Sequence, residues 1–267
     1  MTCWLSRLSL TLALCGAAAG CASSGYTPLG DAAQADDMAK VRKLLDRGAD
    51  PGAVGRLGPG YRTPRWAWLK RNAFKAARHD DSLLRLMVER CAQVYVPGRN
   101  CSGALIGAVW LDDAGLLEAL LDRGAPIDEA PGAEGRAPLG EAVLQGSAGL
   151  TQLLLERGAR VDPPDASGQT ALTLAVLQGR VDLVGALLAK GADVNAAGEN
   201  RRGSPGLTAL AAAASTGNAE LAGYLIERGG DISMARANLQ GRLEAGSLEP
   251  ESAAHDQQGL DLLEKLR

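Results

Sequence analysis

The sequence is poor in aromatic residues, which make up 3% of it with a single phenylalanine, and it holds only two histidines, His79 and His255. They form no metal-binding motif, and His-Glu-x-x-His, Cys-x-x-Cys, Gly-x-Ser-x-Gly and Gly-x-x-x-x-Gly-Lys are all missing. The usual sequence marks of metal hydrolysis, dithiol redox chemistry, a serine nucleophile and nucleotide binding are therefore absent. Charge of one sign is lacking too, since 28 basic residues face 31 acidic ones, and no basic excess speaks for nucleic acid. What the chain does have is 46% hydrophobic residues, mostly Ala and Leu, and 34 glycines in 267 residues. That is enough apolar material for a sizeable core. It suits short helices with small residues between frequent turns better than one deep globular centre.

The N-terminus reads as an export leader over residues 1–20. A short head with Arg7 leads into an apolar stretch from Leu8 to Leu14, too short to span a bilayer, and then into small residues. The tail Ala18-Ala19-Gly20-Cys21 resembles the lipobox of bacterial lipoproteins, which implies cleavage before Cys21 and a lipid on that cysteine, with Ala22 directing the product to the outer membrane. Ala18 stands where the motif has Leu, and cleavage after Ala17-Ala18-Ala19 to give a soluble periplasmic protein is the other reading. Loss of the leader removes one Arg and no acid, leaving a net charge of −4. It also removes Cys3 and Cys15, and with Cys21 lipidated only Cys91 and Cys101 remain for the folded part. Two readings stand for that pair: a disulfide in an oxidising periplasm, or two separate small hydrophobes.

A repeat appears when the phrase Leu-Leu-x-x-Gly-Ala is laid along the chain. Gly48, Gly124, Gly158, Gly191 and Gly229 fall at the same point of it, at steps of 34, 33 and 38 residues from Gly124 onward. A further unit ends at Met87-Val88-Glu89-Arg90-Cys91, with Cys91 in the glycine position. Each unit offers two short helices with apolar residues at helical spacing, as in Leu183-Val184-Leu187-Leu188, and neither helix buries its stripe alone, so the units must stack.

The fullest unit, Asp165-Ala166-Ser167-Gly168-Gln169-Thr170-Ala171-Leu172-Thr173-Leu174-Ala175-Val176 and onward to Asn195, resembles the ankyrin repeat. Pieces of that family's Thr-Pro-Leu-His-x-Ala signature recur at Thr27-Pro28-Leu29, Ala137-Pro138-Leu139 and Thr208-Ala209-Leu210. The resemblance implies an all-α solenoid of stacked helix-turn-helix units with β-hairpin fingers. It divides the chain into units at 22–51, 73–97, 98–131, 132–164, 165–198 and 203–233. Residues 52–72 are a basic, aromatic insertion and 234–267 a C-terminal cap, with Leu260, Leu263 and Leu266 as its apolar edge. The signature His is Gly30, Ile106, Gly140, Thr173 and Ala211 here, so the bonds it makes between neighbouring loops are missing. Asp36-Asp37, Asp80-Asp81 and Asp112-Asp113 fall at the turns between helices, where solvated turns explain them better than acid–base pairs. A bridge from Cys91 to Cys101 would staple the base of the finger between the second and third units.

The same resemblance implies a protein-binding module with no catalytic residue, cofactor or metal. Its concave face would carry Trp110-Leu111, Leu144-Gln145 and Leu177-Gln178 near the ends of the first helices, an apolar row edged by amides. The alternative is that these side chains tuck between helices as core. Finger-tip residues Arg99, Asn100, Glu134, Arg136, Ser167, Gln169, Pro205 and Leu207 would form the rim. The insertion is a second surface, with Arg62, Arg65, Lys70 and Arg71 interleaved with Trp66 and Trp68 and no acid from Pro51 to His79. Lipid headgroups, an acidic partner, or the first two units themselves are its three possible contacts. Exported bacterial proteins of this kind are similar to immunity or accessory proteins of secreted antibacterial effectors. The expectation is a lipid-anchored envelope protein that captures one protein partner, the alternative an envelope-organising scaffold that reaches the membrane through its insertion.

Overall fold

A computed structural model describes residues 27–51, 77, 80–95, 101, 103–130, 135–199, 206–244 and 250–266, which hold thirteen helices. The first two are α1, Pro28–Gln34, and α2, Met38–Asp46. The second helix of the second unit is α3, Asp81–Val94. Three helix pairs follow: α4, Ala104–Trp110, with α5, Ala114–Asp122; α6, Pro138–Gln145, with α7, Ala148–Glu156; and α8, Ala171–Leu177, with α9, Val181–Ala189. The sixth unit is α10, Ala209–Ser215, with α11, Ala219–Glu227, and the chain closes with α12, Ile232–Glu244, and α13, Pro250–Lys265. First helices pack in one layer, α4 on α6 on α8 on α10, and second helices in another, α5 on α7 on α9. The predicted first helix of the second unit, near 73–78, lies outside the described residues except for Ala77, which is buried.

Local chemistry sets each unit. Thr27, Thr170 and Thr208 cap the first helices by accepting from the amides of Gly30, Thr173 and Ala211, and Pro28 and Pro138 start theirs at a position that needs no N–H. Leu120, Leu154, Leu187 and Leu225 recur in the second helices and are fully buried, each worth about 1.5–3 kcal/mol of apolar transfer. The glycines used above as the ruler sit at φ from 83° at Gly124 to 95° at Gly229, where a Cβ is strained. The second unit lacks that glycine. Its helix α3 runs on through Cys91 to Val94, 14 residues against nine in the other second helices.

The acidic pairs have a more specific task than solvated turns. Asp36 and Asp112 take the left-handed position between helices, at φ 54° and 50°, where later units use Gly146, Gly179 and Gly217. Asp37, Asp80 and Asp113 then cap the second helices. The Asp113 carboxyl is held below its ordinary 3.8, first by the Leu116 amide and then by Arg85 of the preceding unit, 2.7 Å away. A carboxyl held down in the fold adds stability above its unfolded value and loses it as pH falls through the folded one. Asp113→Ala is therefore expected to cost about 1–2 kcal/mol in urea unfolding at pH 7, and the gap from the parent should narrow as pH drops below 3.8. A gap that stays constant with pH would remove the charge from this account.

The fingers are expected as β-hairpins; among the described residues there is no strand, and the finger of the fifth unit is a tight turn. In the fifth unit Asp165 donates its N–H to Gln169 O at 2.9 Å and Gly168 donates to Asp165 O at 3.0 Å. Gly168 O in turn accepts from Gly198 N of the next finger at 3.1 Å, so neighbouring fingers are tied by backbone.

Candidate partner-binding surface

Trp110, Leu144 and Leu177 occupy the same repeat position at the ends of α4, α6 and α8. They are neither core nor fully open: Leu144 is 37% exposed, and Trp110 and Leu177 are half-buried. Leu111 is half-buried beside them, and Gln145 and Gln178 are exposed. Gln178 Nε2 donates to Leu144 O at 2.6 Å and Arg180 Nη1 to Gly146 O at 2.9 Å, so side chains of one unit close the orphan carbonyls at the end of α6. The row stops there. Its fourth position, Ser215, is 6% exposed because α13 lies on α10, with Gly259 seated against the backbone of Ala214 and Ser215. A Cβ on Gly259 would stand 2.9 Å from Ser215 N, so only glycine allows this approach. Arg242 Nε donates to the buried Asp256 at 2.9 Å and fastens α13 to α12.

Beneath the row runs a polar network that the sequence reading did not assemble. Trp110 Nε1–H donates to Glu141 Oε1 at 2.7 Å, and Arg136 Nη1 donates to Glu141 Oε2 at 3.0 Å. The same guanidinium forks onto Asp165 Oδ2 with Nε at 3.3 Å and Nη2 at 3.1 Å. Asp165 Oδ1 accepts from the amides of Ser167 and Gln169 at 2.8 and 3.1 Å. Burial works against the Arg136 charge, but the two carboxylates outweigh it and hold the group protonated. The network joins three consecutive units, as the family's signature histidine would join loops. Gly140, which replaces that histidine in the fourth unit, makes the room, since a Cβ there would lie 2.9 Å from Arg136 Cγ.

Two rim assignments are corrected. Arg136 is not a finger-tip cation; its side chain is 17% exposed and bound on both sides. Leu207 is 6% exposed, because it precedes the cap Thr208 and its carbonyl is drawn in by Thr173 Oγ1 at 3.2 Å. Gln169 is half-buried, with its amide on Asp165, and Ser167 is exposed. Arg99, Asn100, Glu134 and Pro205, the insertion residues Arg62, Arg65, Trp66, Trp68, Lys70 and Arg71, and Cys21 lie outside the described residues. The missed residues are Glu141 and Asp165. A signal existed for Glu141, a carboxylate standing where the third, fifth and sixth units have Gly107, Leu174 and Ala212, with only Asp31 of the first unit matching it among the described units.

Among carboxylate pairs, Asp36 is pushed up, chiefly by its hydrogen bond to Asp80 and then by that charge, while Asp80 is held down first by the Leu83 amide. Split values can mark an acid and a base. Here Asp36 is an exposed turn residue and Asp80 a helix cap, so the fold already accounts for both. His255 is exposed on α13. Cys91 and Cys101 form a disulfide with Cα atoms 5.8 Å apart, which settles the two readings of that pair.

A family profile described as ankyrin repeats in three copies matches residues 105–198, and a single ankyrin repeat matches 205–238. Among solved structures, the ankyrin repeat domain of Bcl-3, described as a unique member of the IkappaB protein family, superposes with a TM-score of 0.51 at 24% identity. The match covers 89% of this chain and 98% of that one, a likeness of fold. No curated protein matches the sequence. With its units stacked in two helical layers and the profile spread over four of them, the chain is an ankyrin-repeat protein.

Proposed function

We propose that this protein captures one protein partner on the row Trp110, Leu144 and Leu177 and performs no chemistry of its own. Ankyrin repeats are protein-interaction modules, and the observation that carries the reading is the row itself: Leu144 exposed and Trp110 and Leu177 half-buried at one repeat position, edged by the exposed Gln145 and Gln178. A covering helix could bury them, as α13 buries Ser215. The Cys91–Cys101 disulfide supports export, because such bridges persist in oxidising compartments. With the lipobox-like Ala18-Ala19-Gly20-Cys21, it supports a periplasmic protein anchored to the outer membrane by a lipid on Cys21. In that setting the partner is a secreted antibacterial effector, and this protein is its immunity or accessory factor.

The test is a pull-down from detergent-solubilised envelope with the intact protein and with Trp110→Ala, Leu144→Ala, Leu177→Ala combined, both checked for helicity. Loss of one specific partner by the triple variant, with a drop of at least tenfold in affinity, is expected. Equal retention by both would sink the row and turn attention to the insertion, as the scaffold reading requires.

A further inference from the structure

A tryptophan on the last residue of a seven-residue helix keeps two free torsions unless something holds it. Here its indole N–H ends on Glu141, which is 5% exposed and is itself pinned through Arg136 to Asp165. Glu141 lies three residues before Leu144, on the same side of α6, so the acid sits under the row it would serve. The stack does not demand a carboxylate there, since Leu174 and Ala212 fill the equivalent position in apolar form. We propose that Glu141 is a positioning residue that fixes the Trp110 ring in its binding orientation before a partner arrives. This rests on the row being the partner site. A side chain ordered in advance need not be ordered on binding, an advantage of roughly three- to tenfold in affinity.

Two measurements decide it. The indole resonance that vanishes in Trp110→Phe is assigned to Trp110 in the full chain. It is expected to be rigid and slow to exchange with water in the parent and in Glu141→Gln, whose amide oxygen still accepts. In Glu141→Leu, with circular dichroism unchanged, the ring should become mobile on the nanosecond scale. An indole as rigid in Glu141→Leu as in the parent overturns the proposal. With the partner recovered by pull-down, Glu141→Leu should weaken binding roughly three- to tenfold when Trp110 is present and not at all in a Trp110→Ala background. Equal weakening in both backgrounds means that Glu141 acts through the stack, and the proposal falls. An affinity untouched by Trp110→Ala alone removes the row, and with it the binding role of Glu141, whatever the indole signal reports.

Discussion

Arg136→Ala is expected to destabilise the protein by about 3–5 kcal/mol, read as a shift of the urea midpoint at pH 7. The guanidinium is the cation between Glu141 and Asp165, whose side chains are 7% and 3% exposed. Removing it leaves two carboxylates in a poor solvent, and their desolvation is no longer offset. Loss of the aliphatic stem lying over Gly140 adds a smaller packing deficit. Arg136→Lys should recover only part of the difference, because an ammonium lacks the fork that reaches Glu141 with one nitrogen and Asp165 with two. A loss below 1 kcal/mol for Arg136→Ala would mean that water reaches the carboxylates once the side chain is gone, and that the network is not what couples the fourth and fifth units.

Replacing Cys91 and Cys101 together by alanine is expected to cost about 2.5–3 kcal/mol, the loop-closure entropy of a ten-residue separation. The bridge stands where the repeat is weakest. The second unit has no stop glycine, α3 overruns by a turn, and α4 begins at Gly103 with no side-chain cap. Cys101 holds φ 59°, and its N–H donates to Asp50 of the first unit at 2.7 Å, so one residue ties three units. Because a repeat stack is stabilised mainly between neighbours, the loss should fall on the first three units and split the melting curve into two steps. The parent in reductant should follow the same curve slowly, since both sulfurs belong to residues no more than 1% exposed. A single transition shifted as a whole would show that the stack unfolds as one unit.

The fold was legible because the repeat states it several times over. Glycine at the ruler position and threonine or proline at the helix starts carry their structural reason in their own chemistry, and each later unit repeats it. The row was legible for the same reason, being one position counted along the stack. What escaped were contacts between unlike residues of different units. Arg136 looked like a rim cation because nothing in its neighbourhood of sequence shows that Asp165, 29 residues on, will meet it. Leu207 looked like a finger tip because the turn that hides it is drawn by Thr173, 34 residues earlier. In the cap, the apolar spacing marks Leu263, which is fully buried, but Gly259 and Asp256, which also face inward, carry no hydrophobic signal at all.

The seat of Gly259 on α10 restricts how this stack can grow. Five alanines, Ala209 and Ala211 to Ala214, give α10 a surface smooth enough for the backbone of α13 to lie against it. Neither of the two first helices before it has that surface: α6 would present Glu141, and α8 would present Leu174. A duplicated unit placed between α11 and α12 would have to bring its own alanine face to receive the closing helix, whereas one placed upstream of α10 meets no such condition. Lengthening by duplication therefore has an allowed end and a forbidden one, and the chain carries that polarity in a single glycine.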